Sequence, residues 1–136
     1  MEINREAPVV VSATADVTAP RDVVWNVVAD IDSWPRWNPD VSEVSLSGEL
    51  APGSEFRWKA GPGTIRSTLR EVEPPRRIAW SGKSLGASAV HVWTLEPTSG
   101  GTTVRTEESA EGLVVRLLRS RMQKTFQERS TRPSSI

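Results

Sequence analysis

His91 is the only histidine in the chain, and its setting decides what chemistry the protein could do. From Ala87 to Glu96 the residues alternate in character, so Ala89, His91, Trp93 and Leu95 share one face of a strand. Thr98-Ser99-Gly100-Gly101 has the composition of a tight hairpin turn, and Thr102 to Ala110 returns as the next strand. A two-residue loop centred on Ser99-Gly100 pairs positions whose numbers sum to about 199. That register sets Leu95 opposite Val104, Trp93 opposite Thr106 and His91 opposite Glu108. An imidazole beside a carboxylate in apolar surroundings can act as a general base or anchor the polar group of a ligand. The same pair can also be a satisfied buried contact, or a histidine at a cavity mouth facing water. A slip of one residue would turn Glu108 to the other side of the sheet.

Tryptophan is the second unusual resource: six Trp and no Tyr. Trp58, Trp80 and Trp93 fall on three strands and share the predicted inner face. They could wall a pocket for a flat or greasy ligand, or simply fill the core, since indole is a large apolar body with a single donor. Trp34 and Trp37, three apart on a short helical turn, are expected to pack structurally at the base of the sheet. Other chemistries lack their residues. Without cysteine there is no disulfide, thiol nucleophile or thiolate metal site, and one histidine leaves no credible transition-metal cluster. Gly61-Pro62-Gly63 lacks the helix and lysine of a phosphate loop, and no Gly-x-Ser-x-Gly elbow occurs.

The elements that must position these groups follow from periodicity and turn chemistry. Val9 to Val17 reads as a strand with Val9, Val11, Ala13, Ala15 and Val17 on one face. A helix follows, with Pro20 at its first position and Val23, Val24, Val27, Val28 and Ile31 on its buried stripe. Asp32 and Ser33 are expected to cap a second short segment, which Asn38-Pro39 ends. Strands are then expected at Val41 to Ser47, Ser54 to Ala60, Thr64 to Val72 and Arg77 to Gly82, before the two that carry His91 and Glu108. Phe56 and Trp58 fall on one side, Arg57 and Lys59 on the other. A final helix is predicted over Leu113 to Arg129, with Val114, Leu118, Met122 and Phe126 as its apolar stripe and its basic residues as a solvated face.

The 136 residues suit a single domain, residues 1-136, with an ordered core from about 8 to 129 and a frayed tail from 130 to 136. Charge is balanced at 17 basic and 17 acidic residues, which favours no nucleic-acid partner. The amino terminus lacks the basic-then-apolar pattern of a signal peptide, and Val9-Val10-Val11 is too short to span a bilayer. A cytoplasmic protein without stable membrane insertion is expected. The fold class is α+β: a curved antiparallel sheet of about seven strands, two short helices after the first strand, and a C-terminal helix packed across the sheet. The gap between sheet and helix is a natural pocket.

This order of elements, together with Ala19-Pro20, Val24-Trp25, Trp34-Pro35-Arg36-Trp37-Asn38-Pro39, Pro74-Pro75-Arg76-Arg77-Ile78-Ala79-Trp80, His91-Val92-Trp93-Thr94-Leu95-Glu96 and Gly101-Thr102-Thr103-Val104, resembles the START-like helix-grip (SRPBCC) superfamily. Within it the chain is most similar to the polyketide cyclase/dehydrase-like branch, over about residues 8 to 128. Members of that branch usually carry a longer final helix with a late Trp and a Lys-rich end, whereas this chain runs Lys124 to Ile136 without them. The resemblance implies a cavity that binds a small hydrophobic or amphipathic molecule such as a lipid, a polyketide or another aromatic compound. The expected lining is Phe56, Trp58, Leu69, Trp80, Trp93, Thr106, Leu118 and Met122, with His91 and Glu108 as the polar pair. No cofactor and no metal are expected, and the protein would be a monomer or weak homodimer. Two other readings stay open: an aromatase/cyclase or dehydratase, hence a lyase or isomerase, using His91 and Glu108; and a protein-interaction module whose cavity is filled.

Overall fold

In the computed structural model, which describes residues 1–60, 63–84 and 86–112, nine elements follow in order. They are β1 (Val9–Val17), α1 (Arg21–Ala29), a 3-10 helix (Ile31–Arg36), β2 (Glu43–Ser47), β3 (Glu55–Ala60), β4 (Gly63–Glu73), β5 (Arg77–Ser84), β6 (Ala87–Thr98) and β7 (Gly101–Gly112). The predicted C-terminal helix, with Leu118 and Met122, lies outside the described residues. All seven strands form one curved sheet in the order β1-β7-β6-β5-β4-β3-β2, with every pair antiparallel. Among the described residues, the seven-stranded antiparallel sheet and the two short helices after β1 are those expected from the sequence.

That order imposes a long crossing. β2 to β7 form a meander of sequential neighbours, but β1 pairs with β7 at the edge remote from β2. The connection from β1 to β2 must therefore traverse six inter-strand gaps, roughly 29 Å at about 4.8 Å each. It does so as α1, which packs on β6 and β7, and the 3-10 helix, which packs on β2. Val24, Trp25, Val28, Ile31 and Trp34 from this crossing enter one core with Phe56, Trp58, Leu69, Ile78, Trp80, Leu95 and Val104 from the sheet.

Several local expectations change. Val23 is 45% exposed, and the buried face of α1 is formed by Val24, Trp25 and Val28 instead. Pro20 precedes the helix rather than opening it, and its carbonyl accepts from the amides of Val23 and Val24. Neither Asp32 nor Ser33 caps the 3-10 helix, which follows Asp30 without a side-chain cap. Asp32 instead accepts from the Leu46 amide at 2.8 Å, tying the crossing to β2. Val41 is buried just before β2, which starts at Glu43.

The strip from Met1 to Glu6, which carries no periodic signal, lies across the outer face of the sheet. Ile3 is 6% exposed and packs on Ala79 and Val92. Asn4 donates its backbone amide to Ser109 Oγ and its side-chain amide to Glu111, while Arg5 pairs with Glu107 at 2.6 Å. The amino-terminal ammonium and Arg77 both engage Glu71.

Two predictions follow from this geometry. Gly101 opens β7 at φ +150°, and a Cβ there would run into the Val17 carbonyl oxygen. Gly101→Ala should cost about 2 kcal/mol or more, read from urea denaturation at constant slope. The ammonium hydrogen bond, followed by the charge of Arg77, holds the Glu71 carboxyl below its ordinary 4.5 despite partial burial. A depressed carboxyl contributes stability that is present above pH 4.5 and lost as pH falls through the folded value. The melting temperature of Glu71→Gln should therefore fall less steeply than that of the parent as pH drops below 4.5.

Candidate functional site

The hairpin of β6 and β7 turns through Ser99-Gly100, and its register pairs Leu95 with Val104, Trp93 with Thr106 and His91 with Glu108. Continued through the neighbouring pairs, one row on the inner face runs Leu69, Trp80, His91, Glu108, Val11 across five strands. The next row runs Ile78, Trp93, Thr106, Ala13. On the other side Ser67, Gly82, Ala89, Ala110 and Val9 make a row of mostly small residues.

His91 is buried at the centre of its row. Its ring stacks on Trp80 at 5.2 Å and 13°, and Trp58 meets it edge-on at 6.1 Å. Nδ1 lies 3.5 Å from Glu108 Oε1, within ion-pair range but long for a hydrogen bond. Two indoles therefore restrict the imidazole while a carboxylate faces one of its nitrogens. A carboxylate facing one imidazole nitrogen is the kind of contact that fixes a ring's orientation.

The aromatic residues divide into two groups. Trp34 does more than support the base of the sheet. It reaches the inner face, with ring centroids 5.5 Å from Phe56, 6.1 Å from Trp58 and 5.3 Å from Trp80. Its indole N–H donates to the Val28 carbonyl at 3.0 Å, so its orientation is set from α1. Trp58 donates in turn to Ser67 Oγ at 3.0 Å. Phe56, Trp58 and Leu69 are thus part of a packed core beneath the 3-10 helix. Trp93, by contrast, is only half-buried and meets Trp37 edge-on at 6.3 Å.

Several buried polar atoms around this cluster have no partner among the described residues. Trp80 Nε1, Trp37 Nε1 and Thr106 Oγ1 are buried and make no hydrogen bond with the described residues. Unmatched buried donors of this kind are uncommon and each costs about 1–3 kcal/mol unless something bonds to them. Sequence reasoning placed Trp80 and Thr106 on this face but treated Trp37 as structural. Its spacing from Trp34 gave no sign that its N–H would be buried unpaired.

Residues 8–132 match the model of the family described as polyketide cyclase/dehydrase and lipid transport. Among solved structures, a hypothetical protein from Helicobacter pylori is similar at TM-score 0.77 and 18% identity, covering 90% of this chain and 84% of that one. A START superfamily protein from Mycobacterium smegmatis gives 0.69 at 15% identity, over 89% and 96% of the two chains. The di-domain ARO/CYC StfQ of the steffimycin biosynthetic pathway gives 0.75 at 17% identity, over 90% of this chain and 46% of that one. At these identities the likeness is one of fold. No curated protein matches the chain in sequence.

The Trp58–Ser67 bond generates a prediction. Ser67 is 1% exposed, and Gly82 stands so close that a Cβ there would lie 2.8 Å from Ser67 Oγ. Ser67→Ala leaves the buried indole N–H without an acceptor and should cost about 1–3 kcal/mol, measured by chemical denaturation.

Proposed function

The chain belongs to the polyketide cyclase/dehydrase and lipid transport family, and from that premise we propose that it binds a small hydrophobic or amphipathic molecule against the inner face of its sheet. The observation that carries this reading is a set of buried polar atoms with no partner among the described residues, Trp80 Nε1, Trp37 Nε1 and Thr106 Oγ1, together with the His91–Glu108 pair. A ligand with a polar group among apolar carbons would satisfy them and recover their desolvation cost. Apolar contact with Trp93, Trp80 and neighbouring aliphatic residues would supply most of the affinity, at roughly 25 cal/mol per Å² before the costs of binding. In this reading the ligand lies on the Trp93 and Thr106 side, because Trp34 occupies the space over Phe56 and Trp58.

A second reading, an aromatase/cyclase or dehydratase-type enzyme, draws its support from the His91–Glu108 contact. There His91 would take the proton and Glu108 would orient the imidazole. It requires that His91→Ala abolish turnover of a cyclic ketone or polyketide while weakening its binding only a few-fold.

Titration of tryptophan fluorescence with fatty acids, sterols, flavonoids and aromatic polyketides tests the binding reading. A saturable response is expected for at least one class. Thr106→Val separates binding from folding, since it removes an unmatched hydroxyl at nearly constant volume. Its melting temperature should hold or rise while affinity for the responding ligand falls about tenfold, or about 1.4 kcal/mol. Unaltered affinity in that variant, or no response across the panel, would count against the site.

A further inference from the structure

The outer face of the sheet divides into two electrostatic halves. Over β5 to β7 its cations are matched: Arg77 contacts Glu71 and Glu2, and Arg5 contacts Glu107. Over β3 to β5 the register does the opposite. Arg57 stands directly across from Arg66, and Arg66 directly across from Lys83. All three are exposed, and none makes a side-chain hydrogen bond or ion pair with another described residue. The nearest cations are engaged elsewhere, Lys59 with Glu43 at 3.4 Å and Arg70 with Ser81 at 2.9 Å.

Like charges placed directly opposite destabilise a strand pair. Composition does not force the arrangement, since the chain holds as many acidic as basic residues. Two consecutive cross-strand pairs put three cations within about 10 Å, given the spacing of adjacent strands. We propose that this row docks the protein on an anionic lipid surface. The outward neighbours of the row are Ser45, Glu55, Lys59, Thr64, Thr68, Ser81 and Ser88, with a single carboxylate beside Arg57 and no aromatic or large aliphatic side chain among them. A protein partner would need an apolar patch at the centre of such an interface. A fluid anionic surface needs only cations within a Debye length of its phosphates, each adding to the attraction. Arg57 and Arg66 stand three residues from the end of β3 and the start of β4, so docking holds that end of the sheet against the bilayer. The proposal rests on the outer face alone and stands or falls independently of the ligand site.

The test is co-sedimentation with vesicles of phosphatidylcholine alone and of phosphatidylcholine mixed with phosphatidylglycerol. Binding is expected only to the mixed vesicles, and it should weaken as salt is raised. The combined Arg57→Gln, Arg66→Gln and Lys83→Gln variant should bind them roughly a hundredfold more weakly, about fivefold per charge removed. Its melting temperature should hold or rise, because repulsion within the row is relieved. Should the triple variant fail to fold, Arg66→Gln alone must still show the fivefold loss. Equal binding to both vesicle types, no binding to either, undiminished binding by the variant, or preference for a DNA duplex or an acidic protein over the vesicles would overturn the proposal.

Discussion

The rest of the structure depends on the passage of the chain from one edge of the sheet to the other. Because β1 pairs with β7 and β2 ends the opposite edge, the intervening residues must cross the inner face. They cannot do so as bare loop, since buried backbone groups need partners. A helix and a 3-10 helix meet that need while presenting Val24, Trp25, Val28, Ile31 and Trp34 to the sheet. The Trp34 indole bonded to the Val28 carbonyl joins the two halves of the crossing, and the Asp32 bond to Leu46 anchors its far end. Phe56, Trp58 and Trp80 are buried because this crossing lies over them.

The same passage defines where chemistry is possible. Trp34, reaching in from the crossing, covers Phe56 and Trp58, while Trp37, Trp80 and Thr106 keep buried polar atoms that bond to no described residue. The row Trp80, His91, Glu108 lies at the border between packed core and unmatched groups. The His91 ring, stacked on Trp80 and met edge-on by Trp58, is restricted in its rotation. The outer face is governed by a different balance. Arg5 and Arg77 are matched there by Glu107, Glu71 and the Met1 to Glu6 strip, which covers an apolar patch at Ala79 and Val92, while Arg57, Arg66 and Lys83 pair with no described residue.

Much of this was legible in the residues. Strand alternation and turn composition located all seven strands within a few residues, and the short loop at Ser99-Gly100 set the register that brings His91 to Glu108. Hairpin registers are readable because a two-residue loop leaves no slack. The helix face was harder: Val23 and Trp25 exchanged roles, since α1 must face both β6 and β7 and periodicity does not record that direction. Asp32 looked like a cap because the residue type suits one, yet a strand amide far along the chain competed for the same oxygen. Ile3 sits alone among polar residues and has no period to reveal it.

What the sequence alone determined were the strands, their turns, the antiparallel register of neighbours and the family to which they belong. All of these rest on interactions between residues close in the chain or joined by tight loops. Tertiary structure alone decided which edge β1 joins, how deeply Trp34 enters the aromatic cluster, which indole N–H groups are buried unmatched, and that Arg57, Arg66 and Lys83 line up across three strands. Each of these is a meeting of residues separated by long stretches of chain. It is set by sheet order and by the path of the crossing, which local composition does not encode.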